Sequence, residues 1–589
     1  MNYGPCPLRD SVLACDGHAL VVGGPGSGKT TLALRKAILR IKNGIKPGQK
    51  ILFISFSRAA VTRVIDAAKT VVPHDQLALI SVQTFHSFFW DLLRPHGYLI
   101  GAPRKLSILL PQDERALSGG VKEHSGDWPQ WEIERERLFR IEGKVAFDLF
   151  ARNTASLLEK SNYLLQNIAL KHPFIIIDEA QDTSDDAWRC IELLAPYSQI
   201  LCLADLEQQI FDFLPGVSPE RIQKIRTSLN PLDVDLGGEN HRSPDTEILA
   251  FANDILTSNP RGNGYQGVAV IRYRAATKAA PLNFNHLLRR ALGQLYKEIR
   301  ADGKGGARTI CILAMNKDGA LKISNALNGL FPNVGKVVKH KLLFDEAEAL
   351  LTARFAAFLL EPKLPADLEK NLATAMELLA AAKRSTGNGK VAVQTLLAQA
   401  AKIRAGKALT INIAKALRST INRLHADGFT GNPSTDWLAV KYCLRISGQA
   451  ELVHAAKQLD YLVAFHRGKH ISAALASDWQ ENGAYCNART ALDIALAQEQ
   501  LMGGLEEPMG IQVMNVHKAK GKQFDGVIFV REPRMTRDGT ESSFIWRGDL
   551  APYPKSRRLI RVGATRARRR LIILDPFWPA CPILSGHRL

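Results

Sequence analysis

The sequence predicts an α/β protein with two mainly parallel sheets flanked by helices, each sheet interrupted by a mainly helical insertion. Three observations predict it. Short apolar runs alternate with amphipathic helical stretches in the first 90 residues and again further on, which is the β–α–β rhythm of a parallel sheet. The rhythm breaks off twice, at 90–171 and 345–505, into helical sequence. The length of 589 residues allows roughly four folding units at about 150 residues each.

The elements follow in order. Ala19 to Val22 reads as a strand, Thr30 to Ile41 as a helix and Lys50 to Ser55 as a strand. A helix over Ala59 to Lys69 and a strand around Leu79 to Val82 come next. After the charged, tryptophan-bearing stretch 90–171, strands resume at Phe174–Ile177 and Ile200–Leu203. Strands near Val268–Ile271 and Thr309–Leu313 open a second set. An Ala- and Leu-rich helical stretch follows, and the set closes with Ile511–Met514, Gly526–Val530 and Leu571–Leu574.

Hydrophobic residues make up 46% and charged residues 23%, close to the average of soluble globular proteins. Extended disorder, a collagen-like repeat and a coiled-coil rod are thereby excluded. Lys and Arg total 77 against 57 Asp and Glu, a formal net charge of +20. That excess favours a polyanionic partner, because each cation placed on nucleic acid releases condensed counterions. No apolar window is long enough to span a membrane, and Met1 to Asp16 lacks the apolar core of a signal peptide. The eight cysteines show no Cys-x-x-Cys spacing, so neither a zinc site nor a disulfide framework is expected. A reducing cytoplasm is the expected compartment.

Gly23-Gly24-Pro25-Gly26-Ser27-Gly28-Lys29-Thr30 fits the phosphate-binding pattern G-x-x-x-x-G-K-[ST], with Thr31 continuing into the helix. A strand precedes it and a helix follows. Its glycines let backbone N–H groups curl around phosphates, Lys29 would reach the β- and γ-phosphates, and Thr30 would ligate Mg²⁺. Such a loop needs an acid on another strand. Phe174 to Ile177 supplies the strand, and Asp178-Glu179 stand at its C-terminal end, where ligands bind in open α/β sheets. Asp178 would hold Mg²⁺, and Glu179 would orient and activate the attacking water.

Asp178-Glu179-Ala180-Gln181-Asp182-Thr183 resembles motif II of the UvrD/Rep/PcrA group of superfamily 1 DNA helicases, and further motifs follow in family order from Gly23 to Arg568. The resemblance implies two RecA-like P-loop NTPase domains, 1A at 1–89 and 172–240 and 2A at 241–344 and 506–589. The helical insertions would be 1B at 90–171 and 2B at 345–505. Phe53 to Ala60 resembles motif Ia, which implies contacts from Phe56 and Arg58 to single-stranded DNA. Thr84-Phe85-His86-Ser87 resembles the next DNA-contacting motif, implicating Thr84 and His86. Leu203 to Phe213 is similar to motif III: Gln208 would sense the γ-phosphate, and Phe211 and Phe213 would stack on bases. Glu239 to Ser243 resembles motif IV, with Arg242 on the γ-phosphate and His241 in place of the tyrosine that stacks on adenine. Gln512 to Phe524 resembles motif V, which puts His517 and Lys520 near the DNA and the interdomain cleft. Val562 to Arg568 resembles motif VI, with Arg566 as the arginine finger.

Three positions depart from the family pattern. Leu8 stands where the family has the Gln that reads adenine, His241 replaces the tyrosine, and Gln523 replaces a Glu that touches the nucleotide sugar. Looser selection of ATP is the expectation, with the phosphate contacts intact. Basic clusters at Lys555 to Arg570 and at Lys402 to Arg423 are candidates for a nucleic-acid track. With 23 residues after Arg566, a fused nuclease is not expected, so any nuclease would be a separate chain.

The implied activity is an ATP- and Mg²⁺-dependent DNA helicase or translocase, moving 3′→5′ on single-stranded DNA and unwinding duplex, in repair, recombination, replication or anti-phage defence. The alternative is a DNA-stimulated ATPase subunit of a nuclease or defence complex that senses or strips DNA without unwinding alone.

Overall fold

The computed structural model describes residues 6–56, 58–121, 125–205, 218, 220–237, 243–274, 282–329, 337–343, 347–386, 390–407, 411–460, 469–502, 509–536 and 539–587. The chain divides into two compact units. One comprises Met1–Phe89, Thr154–Leu343 and Leu505–Leu589, the other Trp90–Asn153 and Phe344–Gly504.

The first unit holds two six-stranded parallel sheets. In chain order its first strands are β1 (Ala19–Val22), β2 (Ile51–Ser55) and β3 (Ile80–Thr84). Strands β4 (Ser107–Leu109) and β5 (Lys144–Ala146) belong to the second unit. Then come β6 (Phe174–Ile177), β7 (Gln199–Ala204) and β8 (Leu232–Asp235). The spatial order is β3-β2-β6-β7-β1-β8, so the chain crosses over repeatedly and helices cover the sheet. Strands β1, β2 and β6 are buried along their whole length, as their unbroken apolar runs require of central parallel strands.

The second sheet uses β9 (Val268–Tyr273), β10 (Thr309–Ala314), β11 (Lys341–Leu342), β12 (Gly510–Asn515) and β13 (Phe524–Val530). After the hairpin of β14 (Pro533–Thr536) and β15 (Gly539–Ser542) it is completed by β16 (Ala567–Pro576). Its order is β11-β12-β10-β13-β16-β9, again all parallel. Every strand read from the sequence forms, with ends moved by at most four residues. The sequence reading missed β4, β5, β8, β11 and the β14–β15 hairpin.

The second unit is mainly helical. Its central helix, Ala347–Leu360, is apolar around nearly its whole circumference, and twelve of its fourteen residues are buried. Leu110 joins the same core, so the 90–153 and 344–504 segments share one apolar interior. Arg354, one of the two residues of that helix left partly exposed, donates to Asp113 (2.8 Å) and to Asp493 (2.8 and 3.0 Å). The first segment of this unit is Trp90–Asn153, and the Asn162–Lys171 helix falls in the first unit. No helix among the described residues is long and apolar enough to cross a membrane.

Candidate nucleotide site and its two-sheet lining

The glycine loop joins β1 to the Lys29–Lys42 helix. Its start is pinned on both sides: Gly23 N–H donates to Ala204 at the end of β7 (3.1 Å), and Gly24 N–H to Gly237 beyond β8 (3.2 Å). Gly26 and Gly28 adopt φ of 91° and 86°, a region that costs other residues about 1 kcal/mol or more. Gly28 caps the helix and turns the N–H groups of Lys29, Thr30 and Thr31 to its positive end, a ready anion site. A Cβ at Gly23 would lie 2.7 Å from the buried Ser27 Oγ, so only glycine leaves this cradle open. Lys29 Nζ donates to the carbonyls of Gly23 and Gly24, which holds the cation over the loop. Arg9, buried on the Pro7–Ala14 helix, donates to Ser27 O at 3.3 Å and braces the loop from behind. Leu8 on the same helix is 49% exposed.

Asp178 follows β6 directly. Its N–H donates to Ile54 O (2.9 Å), and its carboxylate accepts from Ser55 Oγ (3.1 Å), which fixes it beside β2. Glu179 has φ 55°, a left-handed conformation typical of side chains aimed into a functional site. Gln181 Nε2 donates to the Glu179 carboxylate at 2.6 Å, and Gln181 Oε1 accepts from Asp205 N–H at 3.1 Å. One amide thus ties Glu179 to the end of β7. Burial opposes ionisation of Glu179, but Lys520, Lys29, the Gln181 bond and Arg566 outweigh it and hold the carboxyl below the usual carboxylate range.

The second sheet contributes from the segment between β12 and β13 and from the turn between the Pro554–Ala564 helix and β16. Lys520 Nζ forms a buried ion pair with Asp182, two side chains 338 residues apart in sequence. Burial raises the Asp182 carboxyl to about 7; Lys520 opposes this, while Glu179 and Asp205 add to it. Arg566, 2% exposed, donates to Val562 O (2.8 Å), Thr565 Oγ1 (3.0 Å) and Lys522 O (3.4 Å), so its fork is held in one orientation. Gln523 Oε1 accepts from Arg568 Nε at 3.1 Å. Arg561 on the Pro554–Ala564 helix bonds Asn253 (3.0 Å) and lies 3.8 Å from the Asp205 carboxylate. The same helix presses Gly563 onto β13: a Cβ there would meet the Phe529 ring at 2.6 Å.

The residues read as DNA contacts are placed unevenly. Phe56 follows β2, Arg58 opens the Arg58–Val71 helix, and His86 is partly exposed on the Phe85–His96 helix. Thr84 is buried, and its hydroxyl accepts from Ser87 N–H (3.1 Å), so it caps a helix start. His517 packs edge-on against Trp546, with centroids 5.2 Å apart. Lys520 lies among the nucleotide-side acids, with 7% exposure. Gln208, Phe211, Phe213, His241 and Arg242 lie outside the described residues.

The basic clusters read differently in three dimensions. In the C-terminal cluster, Arg557, Arg561 and Arg566 are buried and Arg569 is paired with Asp302, so it is not one solvent-facing track. In the insertion cluster, Arg404, Arg418 and Arg423 are paired with Glu377, Glu369 and Asp427. Sequence gives net charge but not burial, and burial decides which cations meet a ligand. Sequence reasoning also missed Arg9, Gln181 as a relay and Asp182; their partners are remote or backbone atoms, which leave no local spacing to read.

A phosphate cradle on one parallel sheet, faced by a guanidinium and an ammonium from a second, is the arrangement of a P-loop fold with two RecA-like domains. Residues 8–139 and 132–229 match the family described as UvrD/REP helicase N-terminal domain. DNA helicase II of Haemophilus influenzae is 29% identical over 293 residues, covering 43% of this chain and 40% of that protein. ATP-dependent DNA helicase PcrA of Staphylococcus aureus is 25% identical over 300 residues, covering 44% of this chain and 40% of the relative. A probable DNA helicase of Mycoplasma pneumoniae is 23% identical over 320 residues, covering 47% and 60%. The chain thus matches less than two thirds of the length of these relatives.

Proposed function

We propose that this protein is an ATP-dependent DNA helicase or translocase that moves 3′→5′ on single-stranded DNA and unwinds duplex. The observation that carries the reading is the buried Lys520–Asp182 pair, which joins the acidic strand end of the first sheet to the segment after β12 of the second. Nucleotide chemistry and the movement of one sheet against the other are then mechanically linked.

The cradle at Gly23–Thr31 takes the phosphates, and Lys29 exchanges its two carbonyl partners for phosphate oxygens. Thr30 and Asp178 would hold Mg²⁺, which neutralises charge on the phosphates when bound. Glu179, ionised and aligned by Gln181, orients the attacking water and takes its proton. Arg566 stabilises the charge that builds on the transferred phosphoryl group. Gln208 and Arg242 are proposed as γ-phosphate sensors, His241 and Gln523 as the base and sugar contacts. Phe56, Arg58, Thr84, His86, Phe211, Phe213 and His517 are proposed along the DNA. Lys520 is reassigned from DNA to the coupling pair.

The test is ATP hydrolysis with and without single-stranded DNA. Strong stimulation is expected, with Glu179→Gln lowering turnover by about 10²–10⁴-fold. Equal rates with and without DNA in the wild type would sink the reading. A forked duplex then separates an unwinding motor from a DNA-stimulated ATPase. Leu8 and the Gln523–Arg568 bond leave the base and sugar contacts without the family's Gln and Glu. GTP turnover is therefore expected within about tenfold of ATP, a difference of about 1.4 kcal/mol at most. A preference above a hundredfold in competition assays would refute loose selection.

A further inference from the structure

We propose that Trp546 is a base-stacking platform for single-stranded DNA, acting together with His517 and Lys555; the inference rests on the DNA-translocating reading above. Trp546 lies in the connection from β15 to the Pro554–Ala564 helix, and no motif quoted from the sequence includes it. Its indole is partly exposed. His517 meets it edge-on at 5.2 Å and 64°, and Lys555 Nζ stands 5.6 Å from the ring centroid, within cation–π range. His517 follows the C-terminal end of β12, the side of an open parallel sheet where ligands bind.

The backbone that carries the ring is held in place. The main-chain N–H of Trp546 donates to Ser556 Oγ at 2.9 Å, and Asp549 N–H donates to the Trp546 carbonyl at 3.1 Å. The Asp549 carboxylate in turn accepts from Ser556 N–H at 2.7 Å. This closed loop of bonds ties the turn to the first residues of the helix that carries Arg561 and Gly563. A preorganised aromatic with a cation at its side matches one nucleotide: the π-face takes the base and the ammonium meets the phosphate. A stacked base does not depend on sequence, as a motor that travels along any strand requires.

The experiment measures affinity for a labelled oligothymidylate by fluorescence anisotropy, and for the same strand carrying abasic sites. Wild type, Trp546→Ala, Trp546→Leu and Trp546→Phe are compared, with thermal melting run on each. Trp546→Ala and Trp546→Leu are expected to bind the intact strand about 5- to 100-fold more weakly, and Trp546→Phe to recover most of the loss. Abasic sites should weaken the wild type by a larger factor than Trp546→Leu, since that variant has already lost one of its platforms. Equal losses on both strands, or unchanged affinity in Trp546→Leu, would overturn the platform alone. Failure of the wild type to bind either strand would overturn the DNA reading itself, and it appears before any variant is made.

Discussion

Arg566→Ala is expected to lower DNA-stimulated ATP turnover by about 10³–10⁵-fold, the range an arginine finger contributes to phosphoryl transfer. The guanidinium is almost fully buried, and three acceptors in the helix, turn and loop beside it fix its direction. Its charge is felt at Glu179 on the other sheet, so it reaches across the site. Lysine at this position keeps the charge but not the rigid fork, and Arg566→Lys should recover little of the loss. Binding of a fluorescent ATP analogue should weaken far less than turnover, because the first sheet supplies most phosphate contacts. Turnover within tenfold of wild type would remove Arg566 from the chemistry. Melting curves on both variants separate that outcome from simple unfolding.

Lys520→Met is expected to be the most damaging single change to the stability of the two-sheet unit, costing about 3–5 kcal/mol. Asp182 is fully buried, and any charge it carries would be left without a cation. The pH dependence follows from the direction of its shift. Burial already raises the Asp182 carboxyl above its ordinary value of 3.8, and losing Lys520 raises it further. A raised carboxyl favours the folded state only while protonated. The deficit relative to wild type should therefore be smallest in acid, where Asp182 is protonated in both, and grow as pH rises above about 7, where only the wild-type carboxyl ionises against Lys520. Asp182→Asn combined with Lys520→Met should regain much of the stability, since no charge is left stranded, yet still uncouple ATP turnover from DNA. A variant melting within a degree of wild type at pH 8 would show the pair to be energetically idle.

The parts of the fold legible in the sequence are those whose residues are all buried. β1 and β6 were read to the residue because Ala19–Val22 and Phe174–Ile177 are unbroken apolar runs, bounded by His18 and Gly23 and by Pro173 and Asp178. β8 escaped because only Val234 of its four residues is buried, and an edge strand carrying Asp233 and Asp235 has no such run. The same contrast holds at the site. Lys29, Asp178 and Glu179 were legible because phosphate chemistry fixes their spacing to glycines and strand ends. Asp182 was quoted within its motif, but nothing local says that its partner lies 338 residues on. The arginines from 557 to 570 misled in the opposite way: one dense run divides between core, site and surface once the Pro554–Ala564 helix and β16 turn each side chain a different way.

Gly563 acts as a thickness gauge between that helix and β13. Phe529 cannot swing aside, since Phe544 packs against it at 4.6 Å and both rings are fully buried. The helix therefore rests on the strand at the closest distance the backbone allows, one turn before Arg566. Adding even a methyl group would tilt the helix like a lever and carry the guanidinium away from its target. The reach of the arginine across the site is set by a residue that has no side chain at all.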